Sequence, residues 1–208
     1  MTPNAMDWTP RLLQIARGDA RRTYADLLRP PSTFPAITYD VALILVGSWL
    51  IALSAQIAIP LPFTPVPVTG QTLTVLLLGM LMGARRGGAA VVAYLIQGAV
   101  GAPFFAGGGA GWPVLLGPTG GYLLGFIPAV LFTGYLARRG WDRHFVLSHL
   151  ALLAGNSVIY LVGLPWLSLF IGRQQALSLG LVPFIPGDLI KIALAALILP
   201  LGWKLRRS

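Results

Sequence analysis

Cysteine and glutamate are both missing from this chain of 208 residues, so its six acidic side chains are all aspartates. Without cysteine, the protein can form neither disulfide bonds nor thiolate-ligated metal sites. Charged residues make up only 10% of the chain, whereas about 25% is usual in soluble domains, and hydrophobic residues make up 56%. The shortage of charge argues against a soluble protein and for an integral membrane protein.

The few charges are also unevenly distributed along the chain. Three long stretches carry no charged side chain, between residues 40 and 85, 86 and 138, and 143 and 173. A transmembrane helix needs about 20 apolar residues, so the first two stretches can each hold two crossings and the third can hold one. Residues 183–203 supply one more. The sequence therefore predicts an all-α membrane protein with six transmembrane helices.

The segments that join the predicted spans have unusual compositions. Residues 60–67 contain four prolines and cannot form regular helix, because each ring removes a backbone donor and clashes with the preceding turn. Residues 85–88 are predicted to form a tight basic turn. Residues 101–118, rich in glycine and aromatic residues, are predicted to be a loop or re-entrant segment that lines a cavity. The six spans cover approximately residues 41–59, 70–84, 89–100, 119–137, 150–171 and 184–203.

Two regions follow from this division, a polar arginine-rich leader at residues 1–39 and a transmembrane domain at residues 40–208. Apolar leader residues follow helical spacing, which fits either an amphipathic helix on the membrane surface or an unstructured tail. The leader has no apolar core and is not predicted to be a secretory signal peptide.

The net charge of +9 comes mostly from arginines and lysines at the ends of the spans. The span ends on one side of the membrane carry only Arg173, whereas the span ends on the other side carry the remaining basic clusters. The positive-inside rule then places both termini in the cytoplasm and the proline-rich and glycine-rich loops outside the plasma (inner) membrane. The positive charge is explained by membrane topology, so nucleic-acid binding is not predicted.

Asp188 and Lys191 are the most distinctive polar residues, because they lie near the start of the sixth predicted span. Their spacing puts them on the same face of a helix, and charged residues in spans usually face a cavity or a partner. They can bind a ligand that has both donors and acceptors. The alternatives are a self-neutralising structural ion pair and a lysine that extends to the membrane surface.

Other polar and aromatic residues could complete a binding site around this pair. Asn156 and Tyr160 are four residues apart on the fifth span, where they could bind the ligand or only link helices. Gln71 follows the proline-rich segment and could bind the ligand or cap the second span. Five aromatic residues in or beside the outer loops could line an apolar pocket or belong to an interfacial belt: Phe63, Phe104, Phe105, Trp112 and Tyr122.

Motifs for catalysis and nucleotide binding are absent from the sequence. It contains no phosphate-binding loop for ATP, no nucleophile elbow and no carboxylate pair with metal-ligand spacing. No cofactor and no metal are predicted. An intramembrane enzyme would have to rely on Asp188 and Lys191 alone.

Five segments together resemble the biotin-specific S components of energy-coupling-factor (ECF) transporters, the BioY family. They are residues 55–73, 101–108, 115–126, 155–160 and 186–191, and they occur in the order and spacing of that family. The resemblance implies an S-component-type bundle of six helices that captures biotin from outside. It also implies that Asp188, Lys191 and Asn156 bind the ligand. Some relatives have an arginine in the glycine-rich loop, whereas residues 107–112 here carry no charge, so the group that binds the biotin carboxylate stays open.

The resemblance also implies partners in the membrane. Many family members dock with a transmembrane coupling protein and two cytoplasmic ATPases, and others are thought to act as stand-alone carriers. A face of small residues on the first span is similar to the docking surface of this transporter class and favours the multi-subunit complex: Gly47, Ser48, Ala52 and Ala55. The expected function is a non-enzymatic biotin-binding subunit surrounded by membrane lipid.

Overall fold

The computed structural model describes residues 22–205, most of which are helical. The helices are α1 Tyr24–Leu27, α2 Thr33–Gln56, α3 Gln71–Ala99, α4 Trp112–Leu116, α5 Gly120–Ala137, α6 Phe145–Ile171, α7 Arg173–Gly180 and α8 Ile185–Leu205. Two short antiparallel strands, β1 Ala58–Ile59 and β2 Val68–Thr69, join the ends of the proline-rich segment. Single 3₁₀ turns occur at Ala106–Gly108, Trp141–Arg143 and Val182–Phe184. This is the predicted all-α fold.

Helix α3 is a hairpin of two limbs, because the chain reverses at Gly83. This residue has φ +79° and ψ 172°, a conformation that glycine adopts without steric cost. The side-chain nitrogen Nε2 of Gln71, at one end of α3, donates a 2.6 Å hydrogen bond to the hydroxyl of Tyr94, near the other end. The basic turn predicted at residues 85–88 therefore lies slightly earlier, and Arg85 and Arg86 begin the second limb.

Five helical stretches are long and apolar enough to cross a membrane: Thr33–Gln56, Gln71–Ala99, Gly120–Ala137, Phe145–Ile171 and Arg173–Lys204. The sequence prediction of six spans counts this region twice, as residues 70–84 and 89–100, and these two stretches correspond to the two limbs of α3. At 1.5 Å per residue, the limbs are about 18 Å and 24 Å long, less than the ~30 Å of a typical hydrocarbon core. The count of six is therefore approximate.

The small-residue face of α2 packs inside the chain. Gly47, Ser48 and Ala52 are buried, and a Cβ added to Gly47 would lie 3.0 Å from the Cβ of Ala90 on α3. Small residues let two helix backbones approach closely, and here that approach is used within the bundle. The face that α2 turns outward carries large apolar side chains, including Trp49.

At the end of the bundle that contains Gly83, residues of the predicted leader contact the helices. Arg86 forms salt bridges of 2.7 Å with both Asp26 and Asp40. The ring of Tyr24 packs on Trp203 of α8, with centroids 4.4 Å apart. Residues 24–39 are thus joined to the bundle by ion pairs and ring contacts. Residues 1–21, with most of the predicted amphipathic stretch, lie outside the described part of the chain.

Candidate functional site

A cavity of about 440 Å³ opens at the end of the bundle opposite Gly83. Its size falls within the range of about 300–1,000 Å³ that is common for small-molecule sites. Its lining is mostly apolar and comes from the proline-rich and glycine-rich segments and from the adjoining helix ends. The lining residues are Ala58, Pro60, Leu61, Thr64, Pro65, Val66, Pro67, Thr69, Gln71, Thr72, Phe105, Ala106, Gly107, Val114, Thr119, Tyr122, Leu123, Phe126, Ile159, Tyr160, Phe184, Asp188 and Lys191.

Asp188 lies in the cavity wall with its carboxylate held by two donors from α6. The Asn156 amide donates to Oδ2 at 2.9 Å, and the Tyr160 hydroxyl donates to the same oxygen at 2.5 Å. Because the two donors are four residues apart, one face of α6 presents both to α8. The other carboxylate oxygen, Oδ1, lies 3.5 Å from Nζ of Lys191. Asp188 therefore has one oxygen fixed by the protein and one directed to the lysine.

Lys191 links α8 to the proline-rich segment. Its ammonium donates a 2.8 Å hydrogen bond to the backbone carbonyl of Thr69, the last residue of β2. An ammonium has three N–H donors, and the described residues engage it only through Thr69 and Asp188. One donor thus remains for a bound molecule, within reach of the cavity that Lys191 lines.

Two of the five predicted aromatic residues, Phe105 and Tyr122, line the cavity, whereas Phe104 and Trp112 are absent from its lining. Phe105 is 1% exposed and packs edge-on against Tyr94, with ring centroids 5.6 Å apart. Tyr122 is also buried, and its hydroxyl donates to the Gly180 carbonyl at 2.9 Å. Phe63, by contrast, is absent from the lining, and 54% of it is exposed. The structure brings Phe105 and Tyr122 to the site but leaves Phe63 outside it.

The two predicted amides play supporting parts. Gln71 lines the cavity, but its nitrogen donates to Tyr94 and its oxygen accepts from the Thr69 hydroxyl at 3.5 Å. Asn156 does not line the cavity and reaches the site through Asp188. Its Oδ1 is buried and has no hydrogen-bond partner among the described residues, so one strong acceptor remains unused.

Several lining residues were not predicted from the sequence. Phe126 lies one helical turn after Tyr122, and that spacing could have identified it. Thr72 directly follows Gln71, and its buried hydroxyl also has no partner within the described residues. Ile159 and Phe184 had no distinguishing signal, because apolar residues are everywhere in such a chain.

No group of three or more potential metal ligands occurs among residues 22–205. The site consists of one carboxylate, one ammonium and several amide and hydroxyl groups set in apolar walls. It can bind a small molecule that combines an apolar body with hydrogen-bond donors and acceptors.

Comparisons with known proteins identify several similar chains. A probable biotin transporter BioY from Pyrococcus horikoshii is 39% identical over 159 residues, which cover 76% of this chain and 93% of that protein. The biotin transporter BioY of Thermotoga maritima is 40% identical over 158 residues, covering 76% of this chain and 87% of that one. A relative with the same name from Rhizobium etli is 36% identical and covers 72% of this chain and 84% of its own.

A solved structure has the same fold. It is the crystal structure of the S-component for biotin from an ECF-type ABC transporter, with a TM-score of 0.72 and 28% sequence identity. The match covers 85% of this chain and 95% of the other. It confirms the S-component fold that the sequence motifs implied.

The sequence model described as "BioY family" matches residues 24–208. This range includes all five motifs and extends into the predicted leader. The protein is thus a multi-pass membrane protein and a transporter component rather than an enzyme. This chain belongs to the BioY family.

Proposed function

We propose that this chain is the biotin-binding subunit of a vitamin uptake transporter and that biotin occupies the cavity at Asp188 and Lys191. One observation carries the proposal: an apolar, aromatic cavity has a single carboxylate and a single ammonium side by side in its wall. The relatives that are named biotin transporters support the choice of ligand.

The chemistry of biotin fits these groups. Its fused bicycle is apolar, its ureido group has two N–H donors and one carbonyl acceptor, and its side chain ends in a carboxylate. Asp188 would accept from the ureido N–H groups through Oδ1, since Oδ2 is already occupied by Asn156 and Tyr160. Lys191 would donate to the ureido carbonyl or to the carboxylate. Asn156, which the resemblance assigns to ligand binding, would contribute by holding Oδ2 of Asp188.

The distances argue against a purely structural ion pair. A strong N⁺–H···O⁻ bond is about 2.7–2.9 Å long, whereas Lys191 and Asp188 are 3.5 Å apart. The shorter contact of the lysine is with the carbonyl of Thr69. In a purely structural ion pair, we would expect the two charged groups to approach within about 2.7–2.9 Å of each other. The longer separation leaves space for a ligand group between them.

The proline-rich segment is proposed to close over the bound ligand. Residues 60–67 supply part of the cavity wall, and β1 and β2 fix the ends of the segment. Prolines restrict the conformations that a loop loses on closing, which lowers the entropic cost of ordering it.

We propose that ATP hydrolysis drives uptake in an ECF-type complex, in which this chain is joined by a transmembrane coupling subunit and two cytoplasmic ATPases. The chain has no nucleotide-binding motif, and the matched S-component comes from an ECF-type transporter. Since the small-residue face of α2 packs internally, a partner would have to contact other surfaces. Uptake of labelled biotin by cells that express this chain alone, compared with cells that also supply the partners, separates the complex from a stand-alone carrier.

The proposed orientation puts both termini in the cytoplasm and the cavity on the outer side of the plasma membrane. Arg86, Arg138 and Arg143 lie at the end of the bundle that contains Gly83 and Trp203. The positive-inside rule assigns such a cluster of basic residues to the cytoplasmic face. Reporter fusions after Ser208 that are active only outside the cell would contradict this orientation.

Calorimetry with the purified protein tests the central claim. Biotin should bind to one site per chain, and the protein alone should hydrolyse no ATP. A folded, monodisperse protein that releases no heat with biotin at millimolar concentration would overturn the proposed function.

A further inference from the structure

Two of the aromatic rings in the cavity wall rest directly on glycines. A Cβ added to Gly98 of α3 would lie 2.3 Å from Cζ of Phe105 and 2.5 Å from its Cε1. A Cβ added to Gly163 of α6 would lie 2.5 Å from Cδ1 of Tyr122 and 2.7 Å from its Cε1. Carbon atoms normally pack about 3.5–4.0 Å apart, so neither ring could keep its position beside an alanine.

Each ring is also held from another direction. Phe105 meets the edge of Tyr94, and Tyr122 is tied by its hydroxyl to Gly180 and lies edge-on to Tyr160 at 6.1 Å. Protein interiors are close-packed, so a displaced ring moves toward the nearest empty space. For both rings that space is the cavity that they line.

We propose that Gly98 and Gly163 are positioning residues that set the width of the ligand cavity. Neither glycine lines the cavity; each acts through the ring that it accommodates. The missing side chains let Phe105 and Tyr122 sit back against the helices, which leaves room for a fused bicycle. The inference rests on the proposed function, because it assigns to these glycines the selection of biotin by size.

Alanine substitutions test each glycine with two ligands of different width. The probes are biotin and desthiobiotin, which keeps the ureido ring and the terminal carboxylate but lacks the sulfur atom that closes the second, fused ring. In Gly98→Ala and in Gly163→Ala, biotin affinity should fall about tenfold or more, since overpacking of this kind is costly. Desthiobiotin affinity should fall less, so the ratio of the two affinities should shift toward desthiobiotin.

Gly88→Ala is the control for the effect of an added methyl group, and it is matched most closely to Gly98→Ala because both residues lie on α3. Its Cβ would lie 2.9 Å from Cδ2 of Leu131, and Gly88 is ten residues from Gly98 and outside the cavity lining. This variant should have a lower melting temperature than the wild type, because of the steric clash, but the same ratio of biotin to desthiobiotin affinity. Each glycine is judged by its own variant: a folded Gly98→Ala or Gly163→Ala protein with the wild-type ratio overturns its assignment.

A second comparison keeps the test valid if Gly98→Ala does not fold. Phe105→Leu removes the edge of the ring that meets Gly98, so Gly98→Ala combined with Phe105→Leu should bind both ligands as Phe105→Leu does alone. A further shift in the ratio in the combined variant would show that the glycine does not act through the ring and would overturn the inference. Failure of the wild-type protein to bind biotin would instead remove the proposed function itself.

Discussion

Asp188 and Lys191 lie one turn apart on α8, yet the contact between them is longer than the hydrogen bond that each makes to a third residue. Oδ2 of Asp188 is 2.5 Å from the Tyr160 hydroxyl, and Nζ of Lys191 is 2.8 Å from the Thr69 carbonyl, whereas the two charged groups are 3.5 Å apart. The aspartate is thereby fixed to α6 and the lysine to the proline-rich segment. A ligand that touches both residues would connect these two parts of the wall.

Asp188→Asn should weaken biotin binding by 10- to 100-fold or more. The substitution removes the charge that accepts the ureido N–H groups, and the loss of a charge-assisted hydrogen bond costs about 1.5–3 kcal/mol, or about one to two decades of affinity. It also leaves Lys191 without its counter-charge, which adds to the cost. Calorimetry gives the affinity, and thermal unfolding of the same sample reports whether the protein remains folded.

Asp142→Asn provides the control for this substitution, since Asp142 is also a buried aspartate but lies beside Trp203 at the other end of the bundle. It should keep the wild-type affinity. A folded Asp188→Asn protein with wild-type affinity would refute the role of Asp188 in the site. A misfolded Asp188→Asn protein whose folded fraction binds normally would mark Asp188 and Lys191 as a structural pair.

Biotin should slow the labelling of a cysteine placed in the proline-rich segment at Thr64. The natural chain has no cysteine, so a single substitution gives a unique reactive group. Thr64 lines the cavity, whereas Phe63 beside it is exposed and outside the lining. A thiol-specific maleimide should therefore react more slowly with Thr64→Cys when biotin is bound, while Phe63→Cys changes less. Equal rates with and without biotin at Thr64→Cys would remove the lid proposal.

Much of the site could be predicted because polar residues are rare in this chain. Asp188 and Lys191 are charged residues in an apolar span, and Asn156 and Tyr160 share one helical face, so their spacing alone suggested proximity. The structure places three of these four in the cavity wall and Asn156 behind Asp188. Phe63 and Phe105 both lie in irregular segments, where no helix or strand period indicates which way a side chain points, so the sequence could not tell that only Phe105 reaches the cavity.

The remaining features depend on contacts that no local pattern encodes. The reversal at Gly83 requires a positive φ at one glycine among 25, and nothing in the sequence distinguishes it from Gly79 or Gly87. The small residues of α2 fit either an internal helix contact or an external one, and only the position of Ala90 decides between them. The glycines under Phe105 and Tyr122 likewise look like ordinary packing residues.

Arg86→Gln should destabilise the protein more than Arg85→Gln. The Arg86 side chain is 14% exposed and bridges Asp26 and Asp40, so its loss should cost about 1–3 kcal/mol, between the values for exposed and buried pairs. Arg85 is exposed and forms no salt bridge with the described residues. Comparison of melting temperatures tests the difference, and equal values for the two variants would show that the network adds no stability.

The last prediction concerns Asp142, which lies in the turn between α5 and α6. Asp142 is fully buried, and burial raises the pKa of its carboxyl group from 3.8 to about 6, although the Trp203 N–H and Arg143 act in the opposite direction. Its Oδ2 accepts a 2.7 Å hydrogen bond from Trp203, while Oδ1 has no hydrogen-bond partner within the described part of the chain. The charged form is thus disfavoured in the folded protein.

The sign of the resulting pH dependence follows from linkage. Between about pH 4 and pH 6 the folded protein binds more protons at Asp142 than the unfolded protein, so this group's contribution to stability is full below pH 4 and is lost as the pH rises through 6. The loss is at most about 3 kcal/mol, at 1.36 kcal/mol per pKa unit. Asp142→Asn keeps an acceptor for Trp203 and cannot ionise, so it should be more stable than the wild type at pH 7.5 and should gain no relative advantage at pH 4. Thermal unfolding of both proteins from pH 4 to 7.5 measures this difference, and a constant gap across the range would refute the raised pKa.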